Sequence, residues 1–139
     1  RKFDLPVLVH SRRAVDAVLK HLRRIRVRGG IAHAFNGSAQ QAAEFIKLGF
    51  KLGFGGALTF PGSTRIRHLA TTLPLEAIVL ETDAPDIPPV WLNGSRNTPA
   101  SLKAINDMLS ELRGMTSETL AEATTHNMAT LLPQLRSGD

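Results

Sequence analysis

Apolar residues along the chain form short saturated runs, separated by longer stretches in which they return every third or fourth place. The runs are LPVLVH (5–10), IAHAF (31–35), FKLGFGG (50–56) and EAIVLETD (76–83). Runs of this kind, near-continuous and rich in branched side chains, suit strands covered on both faces. After the first run, Val15, Val18, Leu19, Leu22 and Ile25 recur at helical spacing, with Ser11 as the N-cap and Gly29–Gly30 as the stop. Ser38 and Gln41 match a capping box, and Ala42, Phe45 and Ile46 then form the apolar face of a helix that Gly49 ends. Ile66 and Leu69 predict a helix over about 64–72. Thr98–Pro99 read as N-cap and first residue of a helix ending at Gly114, and a last helix is predicted from Thr116 to about Leu132.

Strand and helix therefore alternate four times, which predicts an α/β fold of parallel β/α units. No linker, low-complexity segment or repeat divides the chain, so residues 1–139 are expected to form a single domain. Parallel sheets of this kind gather functional groups at the carboxyl ends of their strands, in open sheets and in (β/α)₈ barrels alike. His10, His33 and Asp83 each stand at or near such an end. A lone histidine there is ordinarily a packing residue, but three strands of four ending in imidazole or carboxylate is a pattern of donors that suits a divalent metal. His21, His68 and His126 fall within predicted helices and read as surface or packing residues.

Composition narrows the picture. With 42% hydrophobic and 21% charged residues, the chain is globular rather than disordered. It has no cysteine, which excludes disulfides and thiolate metal sites and makes a reducing cytoplasm the expected compartment. No apolar run approaches about 18 residues and no signal peptide is read at the start, so no membrane association is expected. Lys and Arg number 17 against 12 Asp and Glu, a net charge of +5 that favours a polyanionic partner. Much of the excess (Arg12, Arg13, Lys20, Arg23, Arg24, Arg26 and Arg28) sits where a solvated helix face is the plain explanation. Aromatics at 5% speak against a base-stacking platform.

Five segments together carry a family likeness: PVLVHSR (6–12), IAHAFNGS (31–38), GFGGALTFP (53–61), LPLEAIVLETDAPDIPP (73–89) and RNTPASL (96–102). In order and content they resemble the TatD family of metal-dependent hydrolases, from near Leu5 to near Leu132. The resemblance implies a TIM-type (β/α)₈ barrel and deoxyribonuclease activity on DNA with divalent metal ions, two in the complete protein, as Mg, Mn or Zn. It implies that His10, His33 and Asp83 ligate metal. Asp83 would also position or deprotonate the attacking water, and Arg12, Asn36 and Arg96 are candidates for phosphate contacts.

The family also supplies a His–x–His pair and a Glu that cannot be placed in this sequence. The chain thus resembles the C-terminal half of the barrel, with an incomplete site expected to be nearly silent alone. Hydrolysis of another ester or amide bond, or a non-catalytic fragment, are the competing readings. A half barrel would leave open edges at 5–10 and 77–82, exposing Leu8, Phe54 or their neighbours, for a missing N-terminal half or a second copy to cover. Within the fourth run, Ile78 and Leu80 are expected on one side and Val79 on the other, all buried. Glu81 is expected to hydrogen-bond a ligand histidine, while Pro85, Pro88 and Pro89 hold the following loop out of helix.

Overall fold

Alternation of strand and helix produces the expected parallel sheet. A computed structural model describes residues 3–133, and in it the strands β1 (Val7–His10), β2 (Gly30–His33), β3 (Phe50–Phe54) and β4 (Ile78–Leu80) pair in chain order, all parallel. The helices are α1 (Val15–Arg24), α2 (Ala39–Lys47), α3 (Thr64–Thr72), α4 (Ser101–Arg113) and α5 (Ser117–Leu131). Short 3₁₀ turns at Gly56–Thr59, Leu75–Ala77 and Val90–Leu92 were not predicted. Among the described residues no helix is long and apolar enough to cross a membrane.

Strand parity sorts the core. Phe50, Leu52 and Phe54 alternate onto the helix-covered face with Leu19, Phe45, Ile78 and Ile105. Val79 turns the other way and joins Ile31 and Leu131. Ile78 and Val79 are thus buried on opposite sides as expected, whereas Leu80 is only half-buried. Phe54 corrects an expectation: it is 1% exposed, because its parity points it at the helices. Leu8, of opposite parity to Val7 and Val9, is 70% exposed on β1, which among the described residues pairs with β2 alone.

Local signals held where a side chain could reach its backbone partner. Ser38 and Gln41 form the full capping box of α2, and the Thr116 hydroxyl accepts from the Thr119 amide to start α5. Gly114 ends α4 at φ 66°, a left-handed position that glycine adopts without steric cost. Ser11 does not cap α1: Arg13 adopts φ 56°, which interrupts the turn, and the helix begins at Val15 without a side-chain cap. Thr98 and Pro99 likewise lie in a preceding turn, their carbonyls accepting from the Ser101 and Leu102 amides, and α4 starts two residues later than predicted.

One buried amide ties α5 to the sheet. Asn127, 3% exposed, donates from Nδ2 to the carbonyls of Leu75 and Ile78, both at 2.8 Å. Loss of hydrogen bonds to buried carbonyls costs about 1–3 kcal/mol, so Asn127→Leu is expected to lower unfolding stability by roughly 1–3 kcal/mol. Urea denaturation checks this, and an unchanged midpoint would show that the two bonds contribute nothing.

Candidate metal centre

The parallel register sets His10 directly opposite His33 at the ends of β1 and β2, with ring centroids 4.6 Å apart. His10 is exposed and His33 buried. Two non-glycine residues next to this point lie in the left-handed region, Ala34 at φ 46° and Asp83 at φ 52°. Such positions cost on the order of 1 kcal/mol or more and persist when neighbouring contacts hold them. Here Ala34 ends β2 and turns the chain off the sheet, and Asp83 lies three residues beyond β4.

Glu81 is the contact that holds Ala34. One carboxylate oxygen, Oε1, accepts from the Ala34 amide, and the other, Oε2, accepts from His33 Nδ1 at 2.7 Å. This fixes both the imidazole plane and its tautomer, as expected for Glu81. The glycines of β3 make room for it. A Cβ at Gly53 would lie 2.3 Å from Glu81 Oε2, and one at Gly55 would lie 2.6 Å from the Glu81 carbonyl. Real side chains do not approach that closely, so Gly53 and Gly55 form a shelf on which Glu81 rests.

With Nδ1 committed, Nε2 of His33 presents its lone pair 3.1 Å from Asp83 Oδ1. It is buried and has no hydrogen-bond partner. Two electron-rich atoms this close are held together by a metal ion or a proton between them. Donors about 2.0–2.2 Å from a shared ion, at tetrahedral or octahedral angles, stand roughly 3.0–3.5 Å apart. The pair therefore fits a divalent metal by spacing and donor type. Without one, a proton fills the same role. Burial by itself pushes the His33 pKa down, but the hydrogen bond and charge of Glu81, with the charge of Asp83, outweigh it and leave the pKa raised. Burial raises the Glu81 pKa, and the His33 and Ala34 contacts offset this only in part. Among the described residues, no three histidine or carboxylate side chains close on one ion position, so His10 flanks the His33–Asp83 pair without completing a cage.

A cavity of about 1090 Å³ opens over these groups, and Arg12 and Asn36 line it with His10, His33 and Asp83. Arg96 is exposed and lies outside that lining. Its neighbour Asn97 has the structural role instead: 2% exposed, it donates to the carbonyls of Thr82 and Asp86 at 2.8 and 2.7 Å and braces the proline-rich loop. Residues 84–89 are free of helix, as the prolines predict. Sequence reading missed Arg65, which lines the cavity from the first turn of α3. Its place at the start of the helix that follows β3 was the available signal.

Comparison with known proteins agrees with this geometry. The model of the TatD-related DNase family matches residues 1–133. The chain is 41% identical over 132 residues to an uncharacterized metal-dependent hydrolase, YjjV, of Escherichia coli K12, covering 94% of this chain and 51% of the relative. It is 35% identical over 129 residues to the uncharacterized metal-dependent hydrolase YabD of Bacillus subtilis, covering 91% and 51%. The chain thus spans about half the length of the curated relatives it matches. The crystal structure of YjjV, described as a TatD homolog, superposes with a TM-score of 0.89 over 94% of this chain and 51% of that one. An uncharacterized amidohydrolase from Saccharomyces cerevisiae, 19% identical, shares the fold at a TM-score of 0.74 over 91% and 53%. Parallel β/α units, strand-end donors and a family match over nearly the whole chain converge: this chain belongs to the TatD family.

Proposed function

We propose that the chain forms the C-terminal half of a TIM-type barrel and carries part of the active site of a metal-dependent deoxyribonuclease. The observation that supports this most is the buried His33 Nε2 standing 3.1 Å from Asp83 Oδ1, two metal-ligating atoms at one strand-end site. A divalent ion bound there would lower the pKa of a water toward neutral pH and offset charge on a phosphodiester. His10, His33 and Asp83 would hold it, nitrogen and oxygen donors compatible with Zn, Mn or Mg. Asp83 would orient the attacking water and accept its proton, while Glu81 holds His33 at Nδ1 and turns Nε2 toward Asp83. Arg12 and Asn36 line the cavity in which the phosphates of the substrate would lie. Ligands for a second ion come from structure outside these 139 residues, joined along the open edge at Leu8. The absence of cysteine suits a cytoplasmic location.

The test is release of acid-soluble nucleotides from DNA with Mg, Mn or Zn, for the chain alone and extended to the length of its relatives. The extended protein is expected to degrade DNA and the chain alone to be nearly silent and to self-associate in sedimentation. An extended protein that turns over amides or other esters, yet leaves DNA intact with every metal, would overturn the phosphodiester assignment.

A further inference from the structure

Three guanidinium groups line the cavity, Arg12, Arg13 and Arg65. None has a carboxylate partner among the described residues, whereas Arg23 pairs with Glu44 and Arg28 with Asp4 elsewhere on the surface. The carboxylates that also line the cavity do not neutralise them. Glu81 and Asp83 face His33, Asp16 accepts from Gln41 Nε2, and Asp86 belongs to the proline-rich loop. Arg65 is the most constrained of the three. Its Nε and Nη2 both donate to the Asn36 side-chain oxygen, at 3.2 and 2.6 Å. A neutral amide therefore fixes the guanidinium in place and leaves its full charge unspent. Gly37 follows Asn36 in a crowded place, where a Cβ would meet Phe35 Cζ and Gln41 Oε1 at 2.7 Å.

The cavity offers little to a base. Its phenyl rings, Phe35 and Phe54, are each 1% exposed and cannot stack on one, and its exposed imidazole, His10, is committed to the metal pair. Fixed, unneutralised cations without stacking surface suit the phosphates of a chain rather than its bases. We propose that Arg65, held by Asn36, is a substrate-positioning residue that grips a backbone phosphate next to the one being cleaved. Arg12 and Arg13 take further phosphates, and binding is independent of base sequence. The inference rests on the phosphodiester assignment and deepens it, naming the feature of the substrate this wall reads.

Fluorescence anisotropy tests it, with a labelled single-stranded DNA of about 12 nucleotides, a length within the range such grooves cover, titrated across a salt series in EDTA. For Arg65→Gln the slope of log affinity against log salt is expected to shrink by about 0.7, the loss of one phosphate contact on a single strand. Arg65→Lys should keep most of the slope with weaker binding, since it retains charge without the planar fork. Oligo-dT and oligo-dA should bind alike. With metal added to the protein extended to the length of its relatives, Arg65→Gln should raise KM for DNA several-fold and leave kcat nearly unchanged. Circular dichroism melting confirms that each variant is folded. An unchanged slope and KM in folded Arg65→Gln would overturn the proposal even if DNA is hydrolysed. A lowered slope in a protein that hydrolyses no DNA would leave the anion wall standing and refute the phosphodiester assignment alone.

Discussion

Asparagine in place of Asp83 is expected to reduce turnover of the metal-loaded, extended protein by about 10²–10⁴-fold, the usual contribution of a positioned proton acceptor. Asparagine keeps the size of the side chain and tolerates the left-handed backbone, φ 52°, that position 83 requires. It removes the charge that faces His33 Nε2 at 3.1 Å. Alanine should lose as much turnover but adds backbone strain, so the asparagine variant isolates the chemistry. Both should stay folded, because Asp83 is half-exposed and lies outside the core clusters. Steady-state kinetics beside thermal melting checks this. A folded Asp83→Asn protein with wild-type turnover would remove Asp83 from the mechanism.

A methyl group at Gly53 should weaken metal binding by roughly 10–100-fold without touching a ligand, the range seen when support for a ligating histidine is lost. The added Cβ would lie 2.3 Å from Glu81 Oε2 and 2.7 Å from its Cδ, so the carboxylate must move off His33 Nδ1. Glu81→Gln should act through the same contact: its amide can accept from His33 or from Ala34, but not from both as the carboxylate does. Because the two changes break one interaction, their effects should not add. Calorimetric titration of the metal into Gly53→Ala, Glu81→Gln and the double variant measures this directly. Wild-type affinity in Gly53→Ala would mean that His33 needs no support from Glu81.

Much of the fold was legible because its signals are local. Four apolar runs and the periodic stretches between them required parallel strands with crossover helices, and the Ser38 and Thr116 caps act within three residues of themselves. Boundaries were less legible where one residue's backbone overrode its neighbours' preference. Ala34 ended β2 two residues earlier than the run IAHAF implied, and Arg13 displaced the start of α1. The Phe54 error came from parity. A continuous apolar run does not say which face each residue takes, and only pairing with β2 and β4 under the helices decided that.

For the site, the sequence by itself determined which residues stand at strand ends. Connectivity and period are written along the chain, and parallel pairing then brings His10, His33 and Asp83 to one end of the sheet. It also determined that glycine follows Leu52, without saying why. What only the tertiary structure decided are relations across the sheet. Glu81 reaches back 48 residues to His33, Gly53 yields space to it, Arg65 closes on Asn36 across 29 residues, and Arg96 stays outside the cavity. Contacts between residues so far apart depend on register, strand parity and loop path together, and a distance of 3.1 Å between two lone pairs exists only once all of these are set in space.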